Sequence, residues 1–243
     1  MKLLIWDYGI GGIGLYKLLK NQQKFDITYF SDAGCTPYGI LSSLTLKERV
    51  EQVIEYFNKK GIEKIAVACN AASTAIPSHH NIKGLIEFGI SSVMALDPKE
   101  VAVVGGGRTI KSKIYKNYFE KNGIETTQEI AQELSILIEA GKNDGVEIKR
   151  AIQSIFEPIR NHSHILLACS HYPAIIDQIQ EYTKNAIIVD PIYSMSEWII
   201  GNWHTDEVLT EINWLTTGDK NQMKISAMKS FGVEIDKIKQ ISI

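Results

Sequence analysis

Short apolar runs alternate with amphipathic stretches along almost the whole chain, and this alternation limits the fold more than any other feature. The runs KLLIW (2–6), FDITYF (25–30), KIAVA (64–68), ISSVMAL (90–96), EVAVVGGG (100–107), IETTQ (124–128), SHILLACS (163–170) and NAIIVDP (185–191) predict strands. Helices are predicted between them: 11–21, 44–60 with Gly61 as its stop, Thr109 as N-cap of a helix to Lys121, two near 130–140 and 144–160, and one to about 202. INWLTTGD, NQMKISAMKSF and VEIDKIKQISI then read as strand, helix, strand. Alternation of this kind produces mainly parallel sheets with helices on both faces. The pattern runs through two rounds that meet near residues 93–99, where Pro98 interrupts the chain. The expected fold is therefore α/β, with two similar open, mainly parallel-sheet domains and a cleft between them. The first would comprise 1–95 plus 206–243 and the second 96–205, the last segment packing back on the first.

At 243 residues the chain can bury a full core without disulfide or metal staples. Lys and Arg number 26 against 28 Asp and Glu, a balance that offers no electrostatic footprint for nucleic acid or an anionic membrane. The opening MKLLIWDYG has too short an apolar run for a signal peptide, and no run approaches the ~20 residues that span a bilayer. A cytoplasmic location is expected. The three cysteines, odd in number and widely spaced, read as free thiols.

Two of those thiols share a context. KIAVACNAAS and HILLACSHYP each place an Ala-Cys pair and a polar residue after an apolar strand, one in each half. Ligands of open α/β sheets bind at the carboxyl ends of strands. Cys69 and Cys169 would thus face one cleft, each at a turn or helix start where the local dipole lowers a thiol's pKa. Opposed thiols suit a two-base proton transfer, one removing a proton from carbon and the other delivering one to the opposite face. A competing motif lies at the N-terminus. Gly9-x-Gly11-x-x-Gly14 after a strand, with Asp32 ending the next strand, matches a dinucleotide fingerprint. Asp7 argues against that reading, because a carboxylate there competes with a pyrophosphate for the same helix N-terminus. Cys35 lacks a counterpart in the second half and reads as a bystander. His79 and His80 give no metal spacing with Cys69, and His162 with His164 read as strand-edge residues, so no metal is expected. VVGGGRT (103–109) lacks the P-loop lysine and reads as a strand-to-helix connection.

DYGIGG (7–12), TPYG (36–39), ACNAAS (68–73), ELSILIEAG (133–141), ACSHYP (168–173), VDP (189–191) and TTGD (216–219) occur in the order and at intervals similar to those of the cofactor-independent aspartate/glutamate racemases. The resemblance covers nearly the whole chain. It implies an amino-acid racemase interconverting L- and D-glutamate, supplying the D-form for peptidoglycan, without pyridoxal phosphate or other cofactor, and as a homodimer. By motif, Cys69 would act on the D-enantiomer and Cys169 on the L-enantiomer. Asp7 would assist Cys69, and Glu139 and His171 would assist Cys169. Tyr8, Pro37, Tyr38, Gly39, Asn70, Ala71, Ser170 and His171 would surround the substrate. His171 after the second cysteine is the form of the glutamate-specific branch. The glycines at 9, 11 and 12 would then allow a tight turn that brings Asp7 to the cleft, and Asp32 would be a structural carboxylate.

The chain departs from the family pattern at three positions. Tyr8 stands where the family has Ser, which should alter or narrow the pocket beside Cys69. Ala71 stands for Thr and removes a hydroxyl, while Ser170 for Thr keeps one. A buried acceptor that loses a donor costs about 1–3 kcal/mol. These changes keep two alternatives open within the family: a racemase of aspartate or another amino acid, and a member that binds an amino acid or a partner without turnover. The dinucleotide-binding reading is the alternative outside it.

Overall fold

The computed structural model describes residues 1–22, 24–203 and 208–243. Among these residues, ten strands and eleven α-helices follow one another as β1 (Lys2–Asp7), α1 (Ile13–Leu19), β2 (Asp26–Ser31), α2 (Ser43–Asn58), β3 (Lys64–Val67), α3 (Asn70–Ser73), β4 (Ile82–Gly84), α4 (Leu85–Leu96), β5 (Glu100–Gly105), α5 (Gly107–Ser112), α6 (Ile114–Lys121), β6 (Glu125–Ile130), α7 (Gln132–Glu139), α8 (Val146–Phe156), β7 (His164–Ala168), α9 (Ile176–Thr183), β8 (Ile187–Val189), α10 (Pro191–Asn202), β9 (Ile212–Thr216), α11 (Lys220–Phe231) and β10 (Ile238–Gln240). The strands form two sheets, in the orders β10-β9-β2-β1-β3-β4 and β6-β5-β7-β8. Every pairing is parallel. This is the two-unit, mainly parallel α/β architecture that the alternation predicts.

β1 lies inside the first sheet, and Leu3, Leu4, Ile5 and Trp6 are fully buried because helices cover both faces. Each such side chain contributes about 1.5–3 kcal/mol by leaving water. β7 holds the matching place in the second sheet, between β5 and β8, with Ile165 and Leu166 fully buried. Residues 212–240 return to the first sheet, where Ile212 to Thr216 lie in register with Ile27 to Ser31 of β2. The expected join at 205/206 lies outside the described residues. Helix starts follow local chemistry: Ser42 Oγ accepts Thr45 N–H at the start of α2, and Asp219 accepts Gln222 N–H at the start of α11.

Three local expectations are corrected. ISSVMAL (90–96) is the second half of α4 rather than a strand. Read together with Leu85 to Gly89, its buried positions Ile86, Gly89 and Val93 recur every three to four residues, which is one face of a helix. That face packs on α6, α10 and β7, and a β-carbon at Gly89 would come within 2.6 Å of the Tyr115 hydroxyl. Thr109 is not an N-cap: α5 begins at Gly107 with Gly106 as its cap, and Thr109 is buried inside it. The helix expected over 11–21 is shorter, Ile13–Leu19 followed by one 3-10 turn.

Candidate active site

The carboxyl ends of β1, β3, β5 and β7 converge on a cavity of about 320 Å³. Cys69 lies two residues beyond β3, and Cys169 directly follows β7. Both thiols line the cavity, with Tyr8, Asn70 and Ala71 on the first side and Glu139, Ser170 and His171 on the second. Pro37, Tyr38 and Gly39 form part of the wall. Asp7 is fully buried beneath it. The structure thus brings together every residue expected at the site.

The glycine turn works differently from the expectation. None of Gly9, Gly11 and Gly12 adopts a positive φ, so no unusual backbone turn requires them. They are needed for room. A β-carbon at Gly9 would lie 2.0 Å from Glu139 Oε2, and one at Gly11 would lie 2.3 Å from Ser170 Oγ and 2.7 Å from His171 Nδ1. The space that a dinucleotide fingerprint leaves for pyrophosphate is filled here by side chains of the second unit. That observation removes the structural basis of the dinucleotide reading. Asp32 also departs from the ribose role: it is fully buried and paired with Arg49 at 2.6 Å. It further accepts Thr217 Oγ1 at 2.9 Å, the Tyr38 hydroxyl and the Cys35 thiol. Cys35 therefore belongs to this structural cluster.

Polar bonds stitch the two units together at the base of the cavity. Gly9 N–H and Ser170 Oγ–H donate to the two oxygens of Asp7 at 3.0 and 2.7 Å. Ile10 N–H donates to Glu139 Oε2 at 2.9 Å, and the same oxygen meets His171 Nε2 at 2.6 Å. The other ring nitrogen, Nδ1, lies 3.9 Å from Cys169 Sγ. The order Glu139–His171–Cys169 fixes the imidazole between a carboxylate and a thiol. Ser170 was expected to hold substrate through its hydroxyl, but that hydroxyl is committed to Asp7.

The two thiols have different surroundings. Burial pushes the Cys69 thiol far above its ordinary value, and the charges of Asp7 and Cys169 add to this. The backbone N–H groups of Ala72 and Tyr8 offset it only in part. The expected lowering at the start of α3 is present through the Ala72 N–H, but burial outweighs it. Burial also raises Asp7 above the usual carboxylate value, against the opposing charge of His171. At His171 burial opposes the imidazolium, yet hydrogen bonds and charge from Cys169 and Glu139 outweigh it and raise the pKa. Cys69 is held as a thiol by burial, whereas Cys169 lies against the His171 imidazole.

Tyr8 rests its ring on Tyr38 at a centroid distance of 5.3 Å and sends its hydroxyl 3.4 Å from the Cys35 carbonyl. Burial raises its pKa to about 12. It supplies an aromatic wall beside Cys69 at the position where the family pattern has Ser. Sequence reasoning missed Gly106, Thr109 and Gln132, which also line the cavity. VVGGGRT reads as a plain connection from sequence, and only its place at the end of β5, beside β7, indicates more. Among the described residues, no helix is long and apolar enough to cross a membrane.

A cysteine beyond a buried strand of each of two parallel α/β units, with both thiols on one cavity, matches the class of two-thiol amino-acid racemases. No protein-family model matches the chain. A glutamate racemase of Helicobacter acinonychis is 31% identical over 194 residues, covering 75% of this chain and 76% of that protein. The chain belongs to the glutamate racemase family. Glutamate racemase 3 of Caldanaerobacter subterraneus subsp. tengcongensis is 27% identical over 96% of this chain and 89% of its own length. The crystal structure of glutamate racemase from Francisella tularensis in complex with D-glutamate superimposes with a TM-score of 0.88 at 22% identity. It covers 99% of this chain and 97% of that one, a shared fold over the full length.

Proposed function

We propose that the protein interconverts L- and D-glutamate by moving the α-proton between Cys69 and Cys169. The observation that carries this reading is the pair of thiols on one cavity, one from each sheet. The first unit, residues 1–95 plus 206–243, supplies Asp7 and Cys69; the second, 96–205, supplies Glu139, Cys169 and His171. With L-glutamate bound, the Cys169 thiolate beside His171 removes the α-proton. The Cys69 thiol delivers its own proton to the opposite face of the planar carbanion, and D-glutamate results. Cys69 ends as the thiolate and Cys169 as the thiol, ready for the reverse reaction. In this reading Asp7, whose charge acts on Cys69, takes or returns a proton there, and Glu139 holds the imidazole in place. Family membership extends the proposal to a cytoplasmic homodimer that supplies D-glutamate for peptidoglycan.

Incubation with L-glutamate in deuterated water, without added cofactor, tests the reading. Loss of the α-proton signal together with growth of the D-enantiomer supports it. No exchange with glutamate, aspartate or a wider amino-acid panel overturns it.

A further inference from the structure

Gln132 faces the cavity from the first turn of α7, and the proton-transfer scheme leaves it without a task. Its carboxamide is held in one orientation. Oε1 accepts Gly107 N–H at 3.1 Å, and Nε2 donates to Ser135 Oγ at 3.0 Å. Ser135 in turn donates to the carbonyl of Gln132 at 2.8 Å. A carboxamide nitrogen carries two hydrogens, so one remains for another acceptor. The opposite side is equally close: a β-carbon at Gly39 would lie 2.2 Å from Oε1, and one at Gly106 3.1 Å from it. Glycine at both places makes the room that Gln132 fills, at the line where the two units meet.

The cavity has a matching need. Glutamate brings two carboxylates, yet among the described residues neither Lys nor Arg lines this cavity. The His171 ring is turned to Glu139 and Cys169 by its two nitrogens, so neutral donors must meet both groups. The hydroxyl of Ser170 goes to Asp7, that of Tyr8 turns to the Cys35 carbonyl, and Ala71 has none. Asn70 is free to donate: its Oδ1 accepts the Tyr115 hydroxyl at 2.7 Å, and its buried Nδ2 has no protein partner. We propose that Gln132 is a specificity-determining residue whose remaining Nε2 hydrogen binds one substrate carboxylate, while Asn70 binds the other from the opposite unit. This rests on the glutamate racemase reading and assigns it a carboxylate contact that lies outside the cysteine motifs.

Two variants test it. Gln132→Met keeps the length and removes the donor. Gln132→Glu keeps the shape and adds a charge beside the carboxylate. KM and kcat are measured in both directions, with D-glutamate binding by calorimetry. The Met variant is expected to raise KM and Kd about tenfold, with kcat within about threefold. The Glu variant is expected to raise both by at least as much again, and by less for D-glutamine, whose side chain is neutral. A KM within twofold of the unchanged protein overturns the assignment, as does a loss confined to kcat. If Gln132→Met does not fold, Gln132→Glu decides. If the unchanged protein binds D-glutamate without proton exchange, the racemase reading fails, and the Kd values alone judge Gln132.

Discussion

Replacing Arg49 with Met isolates the most deeply buried ion pair described above. The Asp32 carboxylate is fully buried and the Arg49 side chain is 13% exposed. Arg49 supplies two of the bonds to Asp32, from Nη2 at 2.6 Å and Nε at 2.8 Å, and a third from Nη1 to the Ile243 carbonyl at 2.8 Å. In the variant, Asp32 keeps only the neutral donors Tyr38, Cys35 and Thr217. A buried charge stripped of its partner costs about 3–5 kcal/mol, most of it the desolvation of the charge left behind. In a chain of this length that corresponds to a fall in Tm of roughly 6–20 °C. Urea melts of the variant, of Asp32→Asn and of the double variant supply the measurement. The double variant should recover part of the loss, because no charge is then left unpaired. Lys59→Met, which breaks an exposed pair with Glu55, should leave the midpoint where it was. Tyr38 joins this cluster through its hydroxyl while lining the cavity, so the folded fraction of Arg49→Met should also bind glutamate more weakly. A loss below about 1 kcal/mol for Arg49→Met would refute the reasoning.

Three further outcomes are expected. Cys69→Ser and Cys169→Ser should both lose racemisation, yet keep elimination from opposite enantiomers of a substrate with a β-leaving group: Cys169→Ser from the D-form and Cys69→Ser from the L-form. Equal loss from both enantiomers in folded variants would show that the thiols do not face opposite sides of one carbon. Gly11→Ala places a β-carbon 2.3 Å from Ser170 Oγ and should cost about 1–3 kcal/mol and most of the activity, read from urea melts and the exchange assay. Asp190 caps α10, and burial raises its pKa to about 6. Its charged form is thus disfavoured in the fold. Stability associated with the protonated form is full below the ordinary value of 3.8 and is lost as the pH rises through 6. Asp190→Asn should therefore be more stable than the unchanged protein at pH 7.5, by on the order of 1–3 kcal/mol, and the gain should vanish in melts below pH 4.

Much of the site was legible because its chemistry sits next to strand ends. A strand end is written locally, as an apolar run that stops, so Asp7, Cys69 and Cys169 could be placed from the sequence. The tertiary setting was not legible. Gly9 and Gly11 carry no sign in the sequence that their missing β-carbons make way for Glu139 and Ser170, which lie more than a hundred residues downstream. Gln132 gains a role only because α7 turns it toward Gly39 and Gly107. The ISSVMAL segment was misread because a short apolar run fits a strand and a buried helix equally, and the upstream Leu85 to Phe88 decide between them. The thiol pKa of Cys69 was misjudged because burial depends on what the second unit places over it.

The unequal surroundings of the two thiols have a consequence for turnover. L- and D-glutamate are mirror images with equal free energy in water, so no asymmetry in the protein can favour one of them at equilibrium. The ratio of the two kcat/KM values must stay at unity at every pH. The difference between a deeply buried Cys69 and a Cys169 beside His171 can appear in the separate kcat and KM values and in the free enzyme. In the proposed cycle the protein leaves each turnover in one of two protonation forms, one competent for each enantiomer, and these forms differ in energy. Recovery of the starting form is then a step of its own, in which protons redistribute among Asp7, the thiols and His171 with no substrate bound. At high substrate concentration that reset, rather than carbon–hydrogen cleavage, can limit the rate, and the catalyst keeps a memory of the last enantiomer it released.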